Sequence, residues 1–182
     1  MIGRVRRSSP TVLPLALASA VVLQVAASGV ALADPSWVPL GRLYNPGNGE
    51  HFYTANRQEG QRAIRQLGYT FEGVAGYVAA APDPASGLVP LYRLYNPSLG
   101  YHFYTTSRAE GFNARDQFGF QYEGVAGYIS ANPGDGLVPL YRLVNPSNGD
   151  HLYTTSRTEG FAARDQLGYQ FEGIIGYLPP AS

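Results

Sequence analysis

The chain has 182 residues, 13 basic side chains against 13 acidic ones, and no cysteine. All of the basic residues are arginine and none of them form a basic stripe, which argues against a nucleic-acid partner. Without disulfides the fold must rest on its core, and 14 tyrosines, eight phenylalanines and one tryptophan provide one.

The chain opens with Arg4, Arg6 and Arg7, then an apolar run from about Thr11 to Leu32 that ends in Ala31-Leu32-Ala33. A positive start, an apolar stretch and small residues at the exit predict a signal peptide over 1–33, cleaved after Ala33. The run is also long enough for a membrane anchor. Pro14, Ser19, Gln24 and Ser28 interrupt it, so cleavage is the favoured reading. The expected product is a secreted, extracellular chain, 34–182, with no stable membrane span. It keeps ten arginines against 13 acids, a net charge of about −3.

That product is written as three copies of one unit, starting at Val38, Val89 and Val138. The expected single domain therefore divides into repeats 38–87, 88–136 and 137–182, joined by the turn-rich stretches "APDPASG" and "ANPGDG". Each copy opens on a strand ("VPLYRLYNP" in copy two) that stops at Asn-Pro. Gly100 can take positive φ, and "HFYTTS" returns as the second strand of a hairpin. Ser107 with Glu110, Ser156 with Glu159 and Asn56 with Glu59 predict capping boxes, in which the Ser or Asn accepts the third helical N–H and the Glu reaches back to the cap. Gly111, Ala114 and Phe118 form one stripe toward the sheet, and Gly68, Gly119 and Gly168 stop the three helices. The copy closes on "FQYEGVAGYIS", an alternating strand in which Gly124 and Gly127 predict a bulge or a break.

The expected fold is mainly β with one short helix per repeat. No copy of this size buries its own apolar face, so three should close around a pseudo-threefold axis. A β-trefoil-like body is the first choice and a three-bladed, propeller-like closure the alternative.

The phrases "YRLYNPSLGYHFYTTS" and "YEGVAGY" resemble the secreted repeat family called domain of unknown function 5648. The resemblance spans Val38 to about Leu178. It implies a non-catalytic extracellular module of a kind often attached to cell-wall hydrolases, and it carries no catalytic residues over. Gly41 stands where the other copies have Tyr92 and Tyr141, and Val144 where they have Tyr44 and Tyr95. Any sites built on those tyrosines are therefore unequal.

Every histidine in the chain, His51, His102 and His151, falls at one repeat position. Each is followed by an apolar residue and then by Tyr53, Tyr104 or Tyr153, so His and Tyr share a strand face. Three readings are open: a structural hydrogen bond beside the Asn-Pro turn, a ligand contact, or three imidazoles on one zinc ion. The preceding residue changes from Glu50 to Tyr101 to Asp150, which gives no fixed acid–His pair. Glu72, Glu123 and Glu172 recur one per copy, too far apart for a glycosidase pair. No nucleophile motif and no cofactor motif is present. Enzyme activity is not expected.

Arg42, Arg93 and Arg142 recur on the first strand. The structural reading pairs each with the Glu of its own copy; the functional one turns it toward a ligand. The expected ligand cluster is Asn45, His51 and Tyr53; Asn96, His102 and Tyr104; Asn145, His151 and Tyr153; with Arg42, Arg93 and Arg142. Tyr rings offer a platform for a sugar face, and the polar groups offer paired donors and acceptors. A lectin-like module on cell-wall or cell-surface carbohydrate, peptidoglycan included, is the leading reading. The alternative is a protein-binding or scaffold module contacting another extracellular protein, favoured if those tyrosines are core-buried and apolar surface is exposed elsewhere. A metal-dependent hydrolase is the remote one.

Overall fold

The computed structural model describes residues 36–83 and 86–181. The expected signal peptide and its cleavage point lie outside the described residues. Copy one folds as β1 (Trp37–Asn45), β2 (Glu50–Thr54), α1 (Arg57–Leu67) and β3 (Thr70–Ala79). Copy two follows as β4 (Leu88–Asn96), β5 (Tyr101–Thr105), α2 (Arg108–Phe118) and β6 (Gln121–Ser130). Copy three is β7 (Val138–Val144), β8 (His151–Thr154), α3 (Arg157–Gln166) and β9 (Gln170–Leu178). The fold is mainly β, with one short helix per copy. No helix among the described residues is long and apolar enough to cross a membrane.

The Asn-Pro signal works through the asparagine side chain. Oδ1 of Asn96 accepts the Ser98 and Leu99 N–H groups, its carbonyl accepts the Gly100 N–H, and Gly100 takes φ 76°. The chain can then return in register, with Leu94 opposite Phe103 and Tyr95 opposite His102.

The helix starts differ in one detail from the expected reciprocal cap. Ser107 Oγ accepts the Glu110 N–H, as a cap should. The Ser107 N–H, however, goes to Thr105 Oγ1, and Asn56 and Ser156 likewise donate to Thr54 and Thr154. The glutamates at the third helical position are thereby released from the cap. The small-residue stripe is also shorter than expected. Gly111 and Ala114 are buried, but Phe118 is 63% exposed. The Phe118 ring turns to solvent, while its carbonyl ties the helix end to β4 by accepting Asn96 Nδ2 at 2.8 Å.

In each copy the first strand lies between the other two. Two register shifts occur along β4–β6: Leu91 faces Gly127 but Tyr92 faces Val125, and Arg93 faces Gly124 but Leu94 faces Tyr122. Ala126 and Glu123 are the extra residues. The glycine-rich strand is thus continuous and doubly bulged, which resets the alternation expected along it. Gly124, at φ 133°, sits beside the bulge that carries Glu123.

The copies meet through their last strands. The sheet path runs β2-β1-β3-β6-β9-β7-β8, with β4 and β5 branching from β6. Ala79 pairs with Tyr128, Ser130 pairs with Tyr177, and the Tyr77 N–H donates to the Pro179 carbonyl at 3.0 Å. Each of these contacts is made possible by a glycine. A Cβ on Gly127 would come within 2.3 Å of Val78, one on Gly176 within 2.5 Å of Ile129, and one on Gly76 within 1.9 Å of Leu178. Gly127→Ala is therefore expected to cost about 1–3 kcal/mol through overpacking at a backbone-close contact. Urea unfolding measures it, and a loss below ~0.5 kcal/mol would show that the joint is looser than described.

Four apolar clusters result. Leu43, Phe52, Ala63 and Tyr69 lie under α1, with counterparts under α2 and α3. The fourth draws on every copy: Leu40, Val78, Leu91, Ile129, Leu140 and Leu178 surround Tyr53, Tyr104 and Tyr153.

Candidate functional site

The residues expected to face a ligand are distributed over three settings. Tyr53, Tyr104 and Tyr153 are 1%, 0% and 2% exposed, with ring centroids 5.3–5.5 Å apart in edge-on contact. Each hydroxyl donates to the carbonyl of another of the three: Tyr53 to Tyr153, Tyr153 to Tyr104 and Tyr104 to Tyr53, at 2.7–2.9 Å. The same hydroxyl accepts the N–H of that same neighbour at 2.8–2.9 Å. Burial raises all three hydroxyl pKa values well above 10. These rings satisfy the outward backbone groups of β2, β5 and β8, and none is open to a ligand.

Asn45, Asn96 and Asn145 are taken up by their own turns. The arginines are taken up by two glutamates each. Arg42 forks onto Glu159 at 3.0 and 2.8 Å, Arg93 onto Glu59 at 2.9 Å twice, and Arg142 onto Glu110 at 2.9 and 2.7 Å. The Nε of each then stands 2.7–2.9 Å from the Glu of its own copy, Glu72, Glu123 or Glu172. The own-copy pairing is present, and a second, bidentate pair from a neighbouring copy lies beside it. The helix-start glutamates are free for this because Thr54, Thr105 and Thr154 hold the caps.

The histidines lie in the same junctions. Glu72, Glu123 and Glu172 of their own copies stand 3.8, 3.2 and 3.4 Å from the three Nε2 atoms, and an acid from another copy meets Nδ1 of two of them. His51 stands 2.6 Å from Asp150 through Nδ1, and His102 binds Glu50 in the same way. Backbone N–H groups of both histidines bond the same carboxylates. Both acids are almost fully buried and also accept a tyrosine hydroxyl, from Tyr69 onto Glu50 and from Tyr169 onto Asp150. Copy two breaks the scheme, with Tyr101 in place of the acid and Phe120 in place of the donor. His151 Nδ1 is consequently buried without a partner. Val144 also leaves it without the ring that Tyr44 lays on His51 and Tyr95 on His102. The centre of the molecule belongs to tyrosines, and no group of three or more His, Asp or Glu among the described residues could hold a metal ion.

Burial opposes protonation of His102, but the bonds to Glu123 and Glu50 outweigh it and raise its pKa above 6.5. The contribution is complete below pH 6.5 and declines as pH rises through the folded value. Stability should fall as pH rises from 6.5 through the folded value, and His102→Gln should flatten that slope. Urea midpoints across this range provide the check; a slope unchanged in the variant would locate the titration elsewhere.

Solvent-facing chemistry lies on the opposite side of each helix, in a cleft between helix and sheet. In copy two Tyr92, Leu94, Gly111, Phe112 and Tyr122 line about 280 Å³. In copy three Tyr141, Leu143, Gly160, Phe161 and Phe171 line about 290 Å³. Two guanidiniums lie over each helix ring: Arg108 and Arg115 at 5.1 and 4.9 Å from Phe112, Arg157 and Arg164 at 5.1 and 4.9 Å from Phe161. Copy one departs at three of these positions, with Gly41, Gln61 and Ile64, although Phe71 keeps its place. The inequality expected from Gly41 is thus real, but it concerns the cleft rather than the hairpin. Neither Phe112 nor Phe161 was among the residues expected to face a ligand; their place off the Gly-Ala stripe is the signal that marks them as exposed.

A family model described as a domain of unknown function (DUF5648) matches residues 28–179. The chain belongs to DUF5648. No curated protein and no solved structure matches this DUF5648 chain. Its clefts and junctions must be read from their own chemistry.

Proposed function

We propose that the protein is a secreted, non-catalytic, lectin-like module that binds cell-wall or cell-surface carbohydrate in the clefts of copies two and three. The observation that carries this reading is the pair of aromatic clefts open to solvent, each with three rings and two guanidiniums. An exposed ring accepts the C–H face of a sugar, and arginine N–H groups donate to its hydroxyls. The recurrent glutamates favour a non-catalytic role, because each is held by an arginine. Two sites on one chain would gain by avidity on a polymer.

The architecture proposed with it is a closure of three blades around a pseudo-threefold axis. The tyrosine bonds that pass from copy to copy, and the Tyr77–Pro179 bond between copies one and three, support it. Each copy completes its own three-stranded sheet, which favours the propeller-like form over the β-trefoil.

A glycan array and a pull-down on purified peptidoglycan test the function. Binding is expected, with a loss of about tenfold or more in the Phe112→Ala/Phe161→Ala double variant. Folded protein that binds neither support would end the reading. A second reading, a protein-binding module, is favoured by the buried tyrosines and by Leu67, Phe118 and Leu167, which are 64%, 63% and 67% exposed at the helix ends. It predicts that binding to a protein partner survives in the double variant and is lost on changing those three residues to Ser.

A further inference from the structure

The geometry points to an acidic saccharide as the ligand of these clefts, with a sugar carboxylate held by Arg108 in copy two and Arg157 in copy three. This rests on the carbohydrate reading above and narrows its ligand class.

Arg108, Phe112 and Arg115 follow at spacings of four and three along α2, so they share one helix face. Arg157, Phe161 and Arg164 repeat the arrangement on α3. A guanidinium lying over a phenyl ring keeps its N–H edge toward solvent, and that planar edge matches a carboxylate. The two arginines of each cleft are not equivalent. Arg115 is bound to Asp116 at 2.7 and 3.2 Å, and Arg164 to Asp165 at 2.6 and 3.0 Å. Arg108 and Arg157 have no carboxylate partner among the described residues and lie over the ring beside them.

Folding gives little reason for a cation there. Both residues open a helix, where the macrodipole disfavours positive charge. The arginines the fold does use, Arg42, Arg93 and Arg142, each hold two glutamates. Arg57 opens α1 in the same way, but Gln61 replaces the ring at its side. Among the described residues, copies two and three alone lay that unpaired fork over a helix ring. A sugar acid presents the matching pair of features, a C–H ring face and a carboxylate on its rim.

The test is retention of the intact protein on immobilised polygalacturonate and on the same polymer with its carboxylates methyl-esterified. The acid form should retain the protein about tenfold more strongly. The preference should vanish at about 1 M salt, where the screening length is about 3 Å. Arg108→Ala/Arg157→Ala should erase the preference while keeping the circular dichroism spectrum and melting temperature of the parent. Arg62→Ala/Arg65→Ala removes the same charge from exposed positions outside the two clefts and should keep the preference. Equal retention on the two polymers, or equal loss in both double variants, would overturn the assignment. Retention on neutral glycans alone overturns it and leaves the carbohydrate reading standing. No retention on any glycan ends both.

Discussion

Tyr104→Phe is expected to destabilise the protein by about 2–5 kcal/mol, although it removes one oxygen atom. That oxygen accepts the Tyr53 N–H at 2.9 Å and donates to the Tyr53 carbonyl at 2.7 Å. Both are outward-facing groups of β2, and the site is closed to water. Leaving a buried polar group without a partner costs about 1–3 kcal/mol, and here two are orphaned together. Urea unfolding of parent and variant gives the difference. Tyr122→Phe is the control: its hydroxyl is on an exposed ring, and its loss should change stability by less than about 0.5 kcal/mol. A Tyr104→Phe loss as small as the control's would show that the core admits water.

The second large effect is expected for Arg142→Met. Arg142, 10% exposed at its side chain, holds Glu110 through its fork and Glu172 through Nε, with its guanidinium 5.0 Å from the Phe103 ring. Its removal sets two carboxylates against each other between copies. Breaking a fully buried pair costs 3–5 kcal/mol; about 2–4 is expected here because both glutamates are roughly one-third exposed. The pH dependence identifies the cause. Burial pushes the Glu110 and Glu172 carboxyls up, but the bonds to Arg142 and to Thr105 or His151 bring them below 4.5. Groups with depressed pKa values stabilise above pH 4.5, and that stabilisation is lost as pH falls through the folded values. The gap between parent and variant should therefore narrow from pH 7 to pH 3. Arg142→Lys, a point charge without the fork, should recover part of the loss. A gap independent of pH would assign the effect to packing against Phe103 instead.

Local elements were legible because their causes are local. Asn96 and Gly100 specify the hairpin turn, Ser107 and Gly119 bound α2, and Gly124 announces a bulge, all within a few residues of their effect. The tyrosine assignment failed for the complementary reason. Parity places His102 and Tyr104 on one face of β5, and the structure agrees. It cannot say that this face is covered by other copies, with partners 49 to 100 residues away. Phe103 on the opposite face is buried too, and a strand closed in on both faces leaves no exposed side on which a ligand platform could stand. The glutamates were misread similarly. A capping box accounts for Glu59 by itself, and only the Thr54–Asn56 bond, which takes over the cap, frees that carboxylate for Arg93 of another copy.

The tyrosine ring also governs arithmetic. In solenoids each repeat contacts only its neighbours, so units can be added or removed at an end. Here the third hydroxyl returns to the first, and the chain of bonds has no end at which to grow. A two-copy chain would leave one tyrosine's backbone groups without a hydroxyl, and a fourth copy added to the closed ring would find no vacant carbonyl. Within this closed ring, hydrogen-bond valence leaves no group free to accept a further copy. A fragment holding two copies should recruit a missing third from another molecule rather than fold alone.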